Sequence, residues 1–138
     1  MSSPRRVLIV CTGNTCRSPL AQVLLQRLKP DWEVRSAGVA AQPGQPASTH
    51  ARRVAADQGL DLNGHRSRAV DSESLEWADE VLCLTSAHQR ALLERFPQAR
   101  GKAGRLGPHD ISDPYGGSLA DYQRCAEEIE QVLTSLTK

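Results

Sequence analysis

Apolar residues in this chain gather in a few short runs, and their spacing changes from run to run. Val7-Leu8-Ile9-Val10 is unbroken and aliphatic, the pattern of a strand covered on both faces. Glu33 to Val39 and Glu80 to Thr85 read as two more strands, and a weaker fourth lies near Ala103 to Leu106. Between these runs the period lengthens to that of a helix. Leu20, Val23, Leu24 and Leu28 share one face. Ala51, Val54, Ala55 and Leu60 mark a helix within Ala47 to Gly59, with Gly59 as its stop. Glu73 to Ala78 and Ala87 to Phe96 are shorter helices, the second ended by Pro97. The last runs from Leu119 to Leu136, with Ser118 as its N-cap and Ile129, Val132, Leu133 and Leu136 at helical spacing. Tyr122, one turn in, is placed on its surface.

Strands alternating with helices predict an α/β, three-layer architecture: a four-stranded parallel sheet flanked by helices, flavodoxin- or Rossmann-like. Ligands of such sheets bind beyond the carboxyl ends of the strands, at the switch point. The 138 residues suit one domain over 1–138. Gln42 to Pro46 is a loop too short to link two domains.

The segment leaving the first strand carries the chemistry. Cys11-Thr12-Gly13-Asn14-Thr15-Cys16-Arg17-Ser18-Pro19 opens on Cys and closes on Arg, with five residues between them. It leads into a helix, where Pro19 costs little in the first turn and Ser18 is the expected N-cap. Peptide N–H groups at a helix N-terminus favour an anion, and Gly13 lets the backbone approach one closely. Thr12 to Cys16 would form the cradle, and Arg17 would add a planar fork for two phosphoryl oxygens. The same field is expected to lower the pKa of Cys11 and favour its thiolate. Ser18 would hydrogen-bond the sulfur, and Asn14, paired with Ser36, would hold the loop in shape. A Walker-type nucleotide loop does not fit, because no Gly-Lys-Ser/Thr follows.

Composition narrows the field. A net charge of +1 with mixed signs gives no nucleic-acid surface. No apolar run approaches a membrane span. The N-terminus lacks the apolar core and cleavage site of a secretory signal, so a cytoplasmic location is expected. Cys11, Cys16, Cys83 and Cys125 lack the close pairing of a zinc site. Cys83 belongs in a packed strand and Cys125 is expected half-buried. Cys16 lies near Cys11, which makes a reversible disulfide a reasonable off-switch. His50, His65, His88 and His109 have no ligand spacing and are assigned no role. Neither a metal nor a cofactor is expected.

Transfer of a phosphoryl group to a thiolate needs a proton for the departing atom. Asp113, in Asp110-Ile111-Ser112-Asp113-Pro114-Tyr115-Gly116-Gly117, is the best candidate, with Asp110 as its competitor. Pro114 biases Asp113 towards an extended backbone, and Tyr115 offers a flat wall. The segment also reads as a plain turn before the last helix.

With both segments in hand, the chain resembles the low-molecular-weight protein-tyrosine phosphatase family along nearly its whole length. The matching segments are the Cys11 loop, Ser36-Ala37-Gly38, Asp57 to Leu62, His65-Arg66-Ser67-Arg68 and Asp113-Pro114-Tyr115. The resemblance implies that family's fold, with Cys11 as nucleophile, Arg17 as phosphate clamp and Asp113 as general acid, no metal being required. A phosphorylated protein would be the substrate, inorganic phosphate a product, and the chain a monomer. Thr15 stands where the tyrosine-specific branch usually has an aliphatic residue, and Gly116 where it often has a second aromatic. Both features, with a loop from Ala40 to Gln45 free of aromatics, resemble the protein-arginine phosphatase branch. Phosphotyrosine is the alternative, with Tyr115 in its favour. Gln22 departs from the Glu common in the family. Two other readings weigh less. Arsenate reduction would want two further cysteines after the third strand, and a non-enzymatic anion-binding or redox module would not need Cys11, Arg17 and Asp113 together.

Overall fold

The computed structural model describes residues 5–138; residues 1–4, part of the N-terminal segment read above for a secretory signal, lie outside it. The aliphatic run becomes the central strand β1 (Arg6–Cys11), in which Val7 to Val10 are fully buried. A 12-residue helix α1 (Arg17–Leu28) returns to the parallel strand β2 (Glu33–Gly38). Helices α2 (Thr49–Asp57) and α3 (Ser72–Trp77) follow, then β3 (Glu80–Cys83). Next come α4 (Ser86–Arg95), a short turn of 3-10 helix, β4 (Ala103–Arg105) and α5 (Leu119–Leu136). The four strands are all parallel, in the order β2-β1-β3-β4. The expected architecture is therefore the observed one. Among the described residues no helix is long and apolar enough to cross a membrane.

Alternation along β1 divides the core. Val7 and Ile9 face α1, α2 and α5, meeting Leu20, Leu24, Ile129 and Leu133. Leu8 and Val10 face the other way, towards Leu75, Val81 and Leu92. Each such aliphatic side chain contributes about 1.5–3 kcal/mol by leaving water, which is why β1 sits at the centre and the short, partly exposed β4 at an edge.

Three local expectations change. Helix α1 starts at Arg17 and its N-cap position is Cys16, without a side-chain cap; Ser18 lies inside the first turn, its hydroxyl turned to other partners. Tyr122 is buried, because α5 presents that side of its first turn to Cys16 and His50. Cys125, expected half-buried, is buried as well. Ser118 does cap α5 as expected, in a reciprocal box with Asp121, and Asp71 caps α3 the same way with Ser74.

The sheet order reverses beside β1: its connection runs to β2 on one side, and the chain returns to β3 on the other. The loops after β1 and β3 thus meet at the carboxyl edge of the sheet. Gly38, the last residue of β2, lies directly against the first of these loops. Its N–H donates to the Arg68 carbonyl at 2.9 Å, and a methyl group there would meet the Thr12 carbonyl and come within 2.9 Å of Ala41 Cβ. Gly38→Ala should therefore lower unfolding free energy in urea by about 1–3 kcal/mol, the usual cost of overpacking. An unchanged midpoint would show that the loop yields freely.

Candidate active site

Residues Thr12 to Cys16 wrap tightly after β1 because their carbonyls are claimed from outside. Val39 N–H donates to Cys11 O at 2.9 Å, Ala40 N–H to Thr12 O at 3.0 Å and Ser48 N–H to Thr15 O at 2.9 Å. His65 Nε2 lies 2.7 Å from Asn14 O, and donates to it, since a carbonyl only accepts. With its carbonyls turned outward, the loop leaves its N–H groups inside, an anion-binding nest. Asn14 is in the left-handed region with φ 58°, a conformation Asn tolerates better than most residues.

The fully buried Asn14 fixes the surroundings of Cys11. Its Oδ1 accepts from Arg68 N–H at 3.0 Å, which sets the orientation of the amide. Its Nδ2 then donates to Ser18 Oγ at 2.8 Å and Ser36 Oγ at 2.9 Å. Ser36 Oγ in turn donates to Gln22 Oε1 at 2.6 Å. Ser18, having accepted from Asn14, is left to donate to Cys11 Sγ at 2.8 Å. Burial, the largest influence, pushes the Cys11 thiol up; the Ser18 hydroxyl, the N–H groups of Ser18 and Asn14, and Arg17 pull it down. The balance is upward, so the expected net lowering does not hold: Cys11 is only 3% exposed, and desolvation outweighs the donors.

A cavity of about 210 Å³ opens over the sulfur. Cys11, Thr12, Gly13, Thr15, Cys16, Arg17, Asp113 and Tyr115, eight of the residues singled out from the sequence, line it. Asn14, Ser18 and Ser36 stand behind the loop instead and do not line it. Arg17 is buried, with Nη1 donating to Ile111 O at 2.8 Å and Nη2 lying 3.5 Å from Asp113 Oδ2. Asp113 is half exposed, and its Oδ1 accepts from Tyr115 N–H at 3.0 Å, so the carboxylate folds over its own turn. Tyr115 is 75% exposed and forms the outer wall. Asp110, the competing acid, instead accepts from Ser86 N–H at 2.9 Å and pairs with Arg105 at 3.1 Å. The Ser86 N–H, then its hydroxyl and Arg105, hold that carboxyl below its usual range. All four cysteines are free thiols; Cys16 Sγ lies 3.3 Å from the Tyr122 hydroxyl, which burial and Cys16 push up to about 12. Among the described residues no three His, Cys, Asp or Glu side chains are grouped to hold a metal.

Two histidines belong to this site although their spacing gave no sign of it. His65 braces Asn14 from behind. His88, in the first turn of α4, is 5% exposed, with Nε2 2.8 Å from Thr12 Oγ1 and 3.5 Å from Arg17 Nη2. The guanidinium can only donate, so Nε2 accepts and the ring is neutral with its proton on Nδ1. Among the described residues that buried Nδ1 has no hydrogen-bond partner. The signal was topological: His88 follows β3, and β3 neighbours β1, but strand order is not written in local periodicity.

Burial, then the Arg17 charge, pull His88 down to about 4, against the weaker opposite influence of Asp113 and Asp110. Unfolded, it would titrate near 6.5. Between these values the unfolded chain binds more protons, so stability is lost as pH falls through that window. His65, pulled down mainly by burial, acts with the same sign. The melting temperature of the wild-type protein should fall more between pH 7 and pH 4.5 than that of His88→Gln. Parallel curves would mean that His88 titrates alike in both states.

This geometry agrees with what known proteins show. The family model described as low molecular weight phosphotyrosine protein phosphatase matches residues 6–138. A protein-arginine-phosphatase of Geobacillus stearothermophilus is 42% identical, the match covering 98% of this chain and 95% of the relative. The low molecular weight protein-tyrosine-phosphatase Wzb of Escherichia coli K12 is 41% identical, over 94% of this chain and 95% of its own. A solved YwlE arginine phosphatase, a Cys-to-Ser variant with a phosphorylated active-site serine, superposes with a TM-score of 0.91 at 36% identity, covering 95% of this chain and 92% of that one. The chain belongs to the low-molecular-weight protein-tyrosine phosphatase family of hydrolases.

Proposed function

We propose that this chain dephosphorylates arginine side chains of proteins through a cysteinyl-phosphate on Cys11. The observation that carries the substrate reading is Thr15, whose side chain lines the cavity beside the sulfur. Its hydroxyl is a polar group where a guanidinium would present N–H donors, and Tyr115 is the one aromatic among the lining residues. The arginine phosphatases among the relatives support the same reading. Phosphotyrosine is the second reading, favoured by the exposed ring of Tyr115 and by the tyrosine phosphatases at similar identity.

Cys11 Sγ attacks phosphorus from the floor of the cavity, and the P–N bond to the guanidinium breaks on the opposite side. Asp113, at the mouth, gives its proton to the departing nitrogen. Arg17 and the loop N–H groups hold the equatorial oxygens as charge gathers on them. Water then attacks the cysteinyl-phosphate with Asp113 as base. Inorganic phosphate leaves, and the thiolate returns to the hydrogen bond of Ser18. Pre-set donors are the reason Arg17 is buried on the Ile111 carbonyl: a clamp fixed before the substrate arrives needs no reorganisation later. His88 acts by positioning, holding Thr12 and Arg17 together as a neutral ring that adds no competing charge. We infer that 1–138 works as one domain and as a monomer, with neither metal nor cofactor. Four free thiols support a cytoplasmic, reducing location.

The substrate reading is tested by kcat/KM on matched phosphoarginine and phosphotyrosine peptides, with Cys11→Ser as the inactive control. Wild type should prefer phosphoarginine, and Thr15→Ile should shift the ratio towards phosphotyrosine by about tenfold or more, the scale of one polar contact exchanged for apolar surface. A ratio that Thr15→Ile leaves unchanged sinks this reading of Thr15. The acid is tested by leaving group. Asp113→Asn should lose about 10²–10⁴-fold on both peptides, but far less on para-nitrophenyl phosphate, whose phenolate departs without a proton. Equal losses on all three would assign Asp113 a positioning role instead.

A further inference from the structure

A second cavity, of about 420 Å³, opens behind the loop and shares no lining residue with the first. It is lined by Gln22, Arg35, Ser36, His65, Arg66 and Arg68. Three guanidinium groups thus converge on one concavity, and among the described residues none of them forms an ion pair. Two of the three are held by neighbours that leave the charge uncancelled. Arg35 lies 4.1 Å above the Trp77 ring, and Arg66 Nη1 donates to the His65 carbonyl at 2.8 Å. The carboxylate that senses Arg68, Asp71, is engaged in capping α3, where it accepts from Ser74 N–H at 2.8 Å.

We propose that this cavity is a binding site for a small oligophosphate anion, either free or as the diphosphate of a nucleotide. One guanidinium clamps one phosphoryl group in the catalytic loop. Three around twice the volume suit an anion of linked phosphoryl groups, each taken by a planar fork. The polar side chains of the floor are also the back wall of the catalytic loop. Ser36 Oγ accepts from Asn14 Nδ2, His65 Nε2 donates to Asn14 O, and the backbone N–H of Arg68 donates to Asn14 Oδ1. An anion seated there touches every element that orients Asn14, and through Asn14 it reaches the Ser18–Cys11 hydrogen bond. Occupancy of the rear cavity is thereby sensed at the nucleophile without blocking substrate entry.

The site is located by titrating pyrophosphate into the full-length 15N-labelled protein in metal-free buffer and following backbone amides. The proposal expects saturable shifts at Ser36, His65, Arg66 and Arg68, with accompanying shifts at Asn14. The triple variant Arg35→Ala, Arg66→Ala, Arg68→Ala changes exposed side chains only. It should weaken these shifts by about tenfold or more in affinity, a loss of at least about 1.4 kcal/mol, while keeping the wild-type spectrum elsewhere. ADP run beside pyrophosphate separates the sources: tighter binding of ADP assigns a nucleotide, and equal binding assigns the oligophosphate alone. Shifts confined to Gly13 to Ser18 would overturn the proposal, since pyrophosphate would then bind only the catalytic loop. Unsaturable shifts spread over all exposed arginines, or saturable shifts unaffected by the triple variant, would overturn it too. Because the readout is binding, it stands or falls apart from the substrate reading above.

Discussion

The hydrogen bonds of the Asn14 side chain are the constraint on which the site depends. A buried amide carries two donors and an acceptor that all need partners, and leaving one unmet costs about 1–3 kcal/mol. Here each is met by a different part of the chain: Arg68 from the segment before α3, Ser18 from α1 and Ser36 from β2. The amide can point only one way once Arg68 N–H takes its oxygen. That choice fixes the direction of the Ser18 hydroxyl, and with it the donor presented to Cys11. A left-handed residue in the loop is tolerated because three elements hold it there. The rigidity of the nucleophile is thus inherited from tertiary contacts, and the loop sequence by itself would not have it.

Two opposing pressures meet at the sulfur. Burial keeps water from the reacting centre and strengthens each donor aimed at it, yet it also penalises the thiolate that must do the work. The chain answers with several weak donors in place of one strong cation at the sulfur: a hydroxyl, two peptide N–H groups and, less strongly, Arg17. Arg17 is held by Ile111 O and lies near Asp113, free to serve the phosphate role proposed for it. A second cation beside it would compete, and His88 is kept neutral there by its burial and, after that, by Arg17 itself.

Elements with strong local signals could be read from the chain directly. The aliphatic β1, the Ser118 cap of α5 and the cradle from Cys11 to Arg17 follow from short-range rules, and the sheet layout follows from alternating periods. What could not be read depends on neighbours distant in sequence. Ser18 looks like an N-cap, but its hydroxyl has a better-placed partner in Cys11, and the N-cap of α1 falls two residues earlier, at Cys16. Tyr122 looks exposed until α5 docks its first turn against Cys16. His88 is a helix residue like any other until β3 takes its place beside β1. The Cys11 thiol was misread for the same reason: the donors are local and visible, while the desolvation that outweighs them comes from the whole fold.

Machinery and selectivity are separated in space. The hydrogen-bond network around Cys11 lies behind the loop, and Asn14, Ser18 and Ser36 do not line the cavity. Thr15 and Tyr115 line it instead, and the proposed selectivity rests on them. A chain can therefore stand at 42% identity to an arginine phosphatase and 41% to a tyrosine phosphatase without tension, because overall similarity reports the shared family and fold. A change at position 15 alters the wall that a guanidinium or a phenyl ring would touch and leaves Asn14, Ser18 and Ser36 as they are. On the proposed reading of Thr15, substrate choice can change without rebuilding the hydrogen-bond network beneath.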